Sequence, residues 1–470
     1  MKQTTNHSSV STALRCSLVI GLVAGYAAYG QPFDRPASSA LDNPGIIGAS
    51  LSESQRALYV RGEYLAEGTA DETVEMELAD LESQIAGMLH RIDDEDEESL
   101  FSKRRRKVVI TYLGKGRLRD TIDDSAYAEV PGREYDAQGM PPKIAEEPAP
   151  GHSDLVFSFD AFSLQSSNEF RIMIPRETLE RVGEEGELLG LHLGSHPGEA
   201  SAEAEDPLNL KSWSNGVDNR TRRGTNGVAF TSGTFSKMVD AGGCSGVLVG
   251  PKHTLSAAHC VWDRDTGSWQ RPTLRAGRSG SAWAASASTS SNTWFWTPSG
   301  YRTASSDSSA RKYDIGMWVT HSSRMGDTPG IGWMGWYWWS SNSTFASKTK
   351  YNRGYPSCSS SRLDRPSPCT SNNLYGDTNS CTVGNYSSKD SNGHYRRFMH
   401  SCDASGGQSG SPLYHYLNGT TLVVVGVHTS STCGTTSSNP CTSSDVRPLG
   451  ATRITKEYSD SINWLRQTFP

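Results

Sequence analysis

From Trp213 to the C-terminus, apolar residues come in short runs: CSGVLVG, TLSAAH, DIGMWVT and TLVVVGVHT, each bounded by Ser, Gly, Asn or Thr. Runs of this length between turn residues fit buried strands better than helix faces. A stretch of about 250 residues built this way is constrained to an all-β domain. One segment departs from the pattern: EYSDSINWLRQTF spaces Tyr458, Ile462, Trp464 and Leu465 along one helical face, which predicts a C-terminal helix lying against the domain. The tryptophans of this part are expected to serve packing.

The N-terminal half has a different texture and the opposite charge. Residues 1–211 carry 37 Asp and Glu against 20 Lys and Arg, net −17, whereas residues 212–470 carry 14 against 25, net +11, and the two sum to the −6 of the whole chain. An acidic segment ahead of a basic domain can clamp it during folding and leave after cleavage. In the acidic half, ELADLESQIAGMLHRI predicts an amphipathic helix that stops at DDEDEES. SKRRRKVVITYL reads as a basic turn followed by a strand, and FRIMIPRETLERV as a strand followed by a helix, with linkers at 137–152 and 194–207. A single five-residue basic run in an acidic segment does not make a nucleic-acid surface, so no nucleic-acid partner is expected.

Residues 1–30 place Lys2 and Arg15 before CSLVIGLVAGYAAY and end on small residues suited to a signal peptidase. The apolar run is shorter than the ~20 residues a bilayer span requires. A cleaved signal peptide, a secreted extracellular product and no membrane partner after signal removal are therefore expected. Of nine cysteines, Cys16 lies in the signal, and the other eight fall between 244 and 441, which reads as a disulfide set in an exported domain. No CxxC pair offers zinc spacing, so neither a metal nor another cofactor is expected. Asn219, Asn342, Asn385 and Asn418 open Asn-x-Ser/Thr sequons.

The chemistry concentrates around CDASGGQSGSPLY at 402–414. A serine hydroxyl becomes a useful nucleophile only with a base in hydrogen-bond reach and a carboxylate orienting that base. The domain supplies both. In GPKHTLSAAHC, His259 follows a strand-like run, and Cys244 and Cys260 bracket it sixteen positions apart, so a disulfide between them would pin the loop carrying the imidazole. In RKYDIGMWVT, Asp314 stands at the mouth of an apolar run. An α/β-hydrolase is disfavoured, because Ser411 stands where its motif needs Gly and no His follows Asp445.

The pieces CSGVLVGPKHTLSAAHC, KYDIGMW and GGQSGSPLY resemble the His, Asp and Ser boxes of the chymotrypsin-fold serine proteases, in that order. The likeness is strongest to the glutamyl endopeptidases of the staphylococcal and bacillary type. It runs over nearly all of 213–470 and includes DNRTR at 218–222, GYP at 354–356, GVHTS at 426–430 and TRITKEYSDSINW. This resemblance implies two antiparallel β-barrels of chymotrypsin type with a C-terminal helix, preceded by an α+β pro-region. It implies Ser409 as nucleophile, His259 as general base and acid, Asp314 as the orienting carboxylate, and the N–H groups of Gly407 and Ser409 as the oxyanion hole. Ser411 matches the second serine of the motif and not its nucleophile. His428, with Thr429 and Ala404, matches the substrate-binding positions, Ala404 replacing the Thr that bacillary members carry there.

Composition bears on specificity. Residues 212–470 contain 13 Asp but a single Glu, Glu457, whereas residues 1–211 contain 23 Glu. A protease that cuts after Glu in preference to Asp would escape its own activity this way, although Glu depletion in a basic β domain is the alternative. The expected layout is a signal peptide at 1–30, an acidic pro-region at 31–211 and a protease domain at 212–470, with the cut at 206–216. The dibasic string Arg220-Thr221-Arg222-Arg223 offers a competing start at Gly224. The expected product is a monomeric serine endopeptidase whose partners are polypeptide substrates and its own pro-region. Two alternatives stay open: a trypsin-like enzyme with Asp403 in the pocket, and a non-catalytic binding module on the same fold.

Overall fold

The computed structural model describes residues 72–93, 108–120, 156–195, 218, 220–288, 293–359, 365–377, 380–390, 393–430 and 449–470. The expected signal peptide, the expected cut at 206–216, and Cys433 and Cys441 lie outside the described residues. All described residues fall in one compact unit, Pro44–Pro470.

The short apolar runs form strands as the texture demands: Ser245–Leu248, His253–Ser256, Gly316–Thr320 and Thr421–Ser430. They build two large, almost wholly antiparallel sheets, followed by a C-terminal helix, in line with the expected all-β domain. The protease part of the first sheet runs in the order Thr293–Pro298, Gly316–Thr320, His253–Ser256, Ser245–Leu248, Met238–Asp240, Thr273–Ala276, Ala285–Ser288. The second sheet runs Tyr351–Asn352, Pro412–Leu417, Thr421–Ser430, Leu449–Arg453, Tyr395–His400, Val383–Lys389. Trp269, Trp296, Trp318, Trp336 and Trp464 are fully buried, which fits their reading as packing residues, while Trp283 is exposed.

In the acidic half, the helix Glu72–Asp93 ends at the acidic run, the strand Val109–Lys115 follows the basic cluster, and the strand Asn168–Pro175 leads directly into the helix Arg176–Leu188. These elements extend the first sheet. Val156–Ser163 pairs antiparallel with Thr293–Pro298, and Asn168–Pro175 and Val109–Lys115 continue outward, making ten strands in all.

The C-terminal helix Lys456–Thr468 starts at Thr455, whose hydroxyl accepts from the Tyr458 N–H, a standard N-cap. Its periodicity predicts one buried face, yet every residue from Tyr458 to Thr468 is buried. The other face is covered by the helix Arg176–Leu188. Gly183 and Gly186 permit the close approach, since a Cβ at either would collide with Asp460 or Asn463. Asn463 and Gln467 donate from their side-chain amides to the carbonyls of Gly183 (3.3 Å) and Val182 (2.9 Å).

Candidate active site

The first sheet positions two of the candidate residues. Ser256, at the end of its strand, pairs with Gly316, so His259 and Asp314 leave adjacent strands at the same end of the sheet. His259 opens off Ala257 into the one-turn helix Ala258–Val261, and Asp314 closes the turn Arg311–Tyr313. The Asp314 carboxylate accepts from the His259 backbone N–H at 3.0 Å, and its two oxygens lie 3.1 and 2.8 Å from His259 Nδ1. The Asp314 side chain is 4% exposed and that of His259 19%, so the carboxylate is sealed while the imidazole keeps an open side. This fixes the ring and puts a proton on Nδ1, leaving Nε2 as the basic nitrogen.

Ser409 comes from the second sheet, on the turn before Pro412–Leu417. The loop is fastened to the first sheet. Ser409 O accepts from Ser245 N–H (2.7 Å), Gly407 O accepts from Ser245 Oγ (2.9 Å), and Ser409 O lies 3.6 Å from Cys260 Sγ. Cys260 is bonded to Cys244, so one disulfide anchors both the residue next to His259 and the strand that grips the Ser409 loop. Cys358–Cys369 and Cys381–Cys402 are the other bridges among the described residues.

Gly407 has φ 89°, and a Cβ there would stand 2.5 Å from Ser357 N and 2.6 Å from Tyr355 O, so the position requires glycine. The N–H groups of Gly407 and Ser409 donate to no backbone carbonyl of the described residues. They are therefore available to an incoming oxyanion. Ser411 is fully buried, with its hydroxyl accepting from Asn352 Nδ2 at 2.8 Å.

The flank of this loop carries His428, expected as a substrate-binding residue, and His400, which sequence reading did not reveal. His428 O accepts from Gly410 N–H (2.8 Å), which ties its strand to the Ser409 turn. His428 Nδ1 lies 3.0 Å from His400 Nε2, both rings buried. Burial pushes His428 well below the usual imidazole range, and the charges of His400, His259 and Arg220 push it further while Asp314 opposes them. Burial likewise takes His400 down to about 3. Two neutral imidazoles facing nitrogen to nitrogen must share one proton, one donating and the other accepting.

Arg220 is the second residue missed. Its guanidinium donates to Ser405 Oγ and Gln408 Oε1, both at 2.6 Å, and pairs with Asp218 at 2.7 Å. It thereby lies against two residues of the turn that carries Ser409. The signal was the DNRTR string, noted for its likeness and its dibasic character but not as a site. Ala404 is half-buried, and the Thr429 hydroxyl donates to Gly450 O at 3.3 Å. Asp403 gives its N–H to Asp377 Oδ2 (2.8 Å), and burial together with the Asp403 charge pushes Asp377 up to about 7.

Two groups of potential metal ligands occur among the described residues, Cys244–His259–Cys260 and Asp377–Cys381–Cys402. In each, both cysteines are spent in disulfides, which removes the thiolates a metal would need. The sequence also lacks His-Glu-x-x-His.

No protein-family model matches the chain. Among curated proteins it is 28% identical over 273 residues to "Glutamyl endopeptidase" of Bacillus licheniformis, covering 57% of this chain and 73% of the relative. It is 26% identical over 338 residues to "Extracellular metalloprotease" of Bacillus subtilis, covering 70% of this chain and 91% of that one. Both alignments exceed the 259 residues from 212 to 470, so both similarities reach into the acidic half, the second much further. Among solved structures, "Structure of Glu endopeptidase in complex with MPD" matches with TM-score 0.38 and 22% identity over 54% of this chain and 99% of that one. By sequence, this chain is similar to a glutamyl endopeptidase over 73% of that enzyme's length.

Proposed function

We propose that the protein is a secreted serine endopeptidase, made as a zymogen, that hydrolyses peptide bonds after Glu and more weakly after Asp. The observation that carries this reading is the His259–Asp314 pair: a sealed carboxylate holding Nδ1 of a half-open imidazole, beside a glycine-flanked serine turn. Similarity to the Bacillus licheniformis enzyme supports the protease class. Similarity to a Bacillus protein called extracellular supports export.

In this reading His259 Nε2 takes the Ser409 proton as Oγ attacks the scissile carbonyl. The resulting oxyanion is held by the N–H groups of Gly407 and Ser409. His259 then passes the proton to the leaving amine, and an acyl-enzyme on Ser409 remains. Water attacks it with His259 again as base, which restores the hydroxyl and releases the acid.

Glu selectivity follows from the groups beside the turn. When His400 donates to His428 Nδ1, His428 carries its proton on Nε2 and becomes a donor to a substrate carboxylate, with Arg220 supplying positive charge behind it. The composition supports the same preference. Glu457, the single Glu after position 211, is only partly exposed and held in an ion pair with Arg396 at 2.6 Å.

Residues 31–211 act as the pro-region and 212–470 as the protease domain, with processing at 206–216. A start at Gly224 would remove the strand Arg220–Arg222, which pairs with Tyr375–Asp377, and would strip Arg220 from Ser405 and Gln408. The deciding experiment maps the bonds cut in a denatured protein mixture. Cuts mainly after Glu support the reading; cuts mainly after Arg or Lys would instead make Asp403 the pocket carboxylate of a trypsin-like enzyme.

A further inference from the structure

The seam between the acidic half and the protease half has the character of an interior, not of a docked inhibitor. Five residue pairs join the two edge strands, from Trp294 with Ser163 to Pro298 with Phe159. Phe162 is fully buried, stacked on Trp269 and on Phe295 with ring centres 5.4 Å apart in both cases. Phe159 stacks on Trp464 of the C-terminal helix at 5.9 Å.

Charge crosses the seam in the same way. Arg302, with a side chain 2% exposed, lies 3.4 Å from Asp160 and 2.7 Å from Glu169, over the rings of Trp262 and Trp269. Asp160 also takes Arg171 at 2.7 Å and the Ser299 hydroxyl at 2.6 Å, and Glu169 accepts from Trp269 Nε1 at 2.7 Å. Lifting the segment away would put a row of aromatic rings in water, which is strongly unfavourable, and would take both carboxylates from Arg302. The segment's last residues, Gly194–Ser195, pair with Trp333–Trp336 at the second sheet, so it spans both sheets. None of its hydrogen bonds or ion pairs among the described residues reaches His259, Asp314 or Ser409, and His259 keeps its open side with the segment in place.

We propose that cutting the connector does not release residues 156–195: the processed enzyme is a two-chain molecule in which this segment remains as a structural subunit of the first sheet. The inference rests on the reading that the chain is processed between the halves, and it changes the fate of the released end from a discarded pro-region to a retained partner. Asp160 and Glu169 then serve as the permanent counter-charges of Arg302.

The test uses the full chain carrying Ser409→Ala, which prevents self-digestion, with a recognition sequence for a specific protease inserted between 206 and 216. After nicking, the protein is run on native size exclusion at about 1 µM, where only tight complexes persist. Co-elution of the two pieces in equal amounts, separated only by denaturant, is the expected result. A folded C-terminal piece eluting alone would overturn the proposal. The charge contribution is read with Asp160→Ala in the same nicked chain, which should release its segment at a denaturant concentration lower than the parent's; release at an unchanged concentration counts against the counter-charge role. Co-elution does not depend on activity, so an enzyme that proved not to be a Glu-specific protease would leave this result standing. In the active chain nicked the same way, fluorophosphonate labelling of Ser409 with the segment still bound is expected; labelling confined to C-terminal pieces that had lost it would contradict retention.

Discussion

Two regions of this molecule bury ionisable groups and do opposite things with them. At the seam, Arg302 and Arg171 meet Asp160 and Glu169, and each charge finds its opposite within hydrogen-bond range. Burial alone would push Asp160 up, but Arg171 and Arg302 reverse that and hold it below the usual carboxylate range. At the candidate site, His400 and His428 are buried against each other with no carboxylate of the described residues in hydrogen-bond reach, and both are driven to the neutral form. The matched cluster makes a joint that has no reason to move. The unmatched one leaves two neutral imidazoles with no fixed counter-charge, which under the proposed function is where a substrate carboxylate would sit.

The comparison breaks first at Arg302. Arg302→Ala should cost about 3–5 kcal/mol of stability, because it leaves Glu169 and part of Asp160 uncompensated in the interior. Urea unfolding measures it, and a loss below about 1 kcal/mol would mean that the seam is solvated and not an interior. Gly407→Ala probes the other region: with φ 89° and backbone atoms at 2.5 Å, the turn must distort and the N–H donor moves. Turnover should fall by about 10²–10³ with the melting transition changed far less than by the seam variant. Unchanged kcat would remove Gly407 from the oxyanion hole.

The smallest effect sharpens the contrast through pH. His400 in the folded protein sits at about 3 against an ordinary 6.5, so the unfolded chain takes up a proton that the fold refuses. Its contribution to stability is complete above 6.5 and is lost progressively as pH falls from there towards 3. His400→Gln should therefore lose less stability than the parent between about pH 7 and about pH 4. Asp377 and Asp460, pushed up to about 7 chiefly by burial, act with the opposite sign in both proteins and drop out of the difference. Parallel stability curves for the two proteins would show that the imidazole pair is not sealed.

Much of the protease half was legible because its signals are local. Short runs between turn residues became strands, and the bracketing cysteines Cys244 and Cys260 are bonded. EYSDSINWLRQTF became the C-terminal helix its spacing predicts. What was hidden depends on partners distant in the chain. Nothing in VFSFDAFS names Thr293–Pro298 as its neighbour, since any strand edge offers the same backbone groups. The C-terminal helix has one apolar face in sequence but two neighbours in space, and its polar residues Asp460 and Asn463 are buried only because Gly183 and Gly186 face them. His400 escaped notice for the same reason. It reaches His428 across the intervening strand Leu449–Arg453, a meeting set by register and not by spacing along the chain.

The central claim is that one hydroxyl, on a turn pinned to the first sheet by Ser245 and Cys260, is made reactive by the His259–Asp314 pair. Labelling the protein with a fluorophosphonate and mapping the adduct by mass spectrometry tests it most directly. The account predicts one adduct on the peptide carrying Ser409, absent in Ser409→Ala and greatly slowed in His259→Ala. An adduct that survives Ser409→Ala, or no adduct at all, would contradict it.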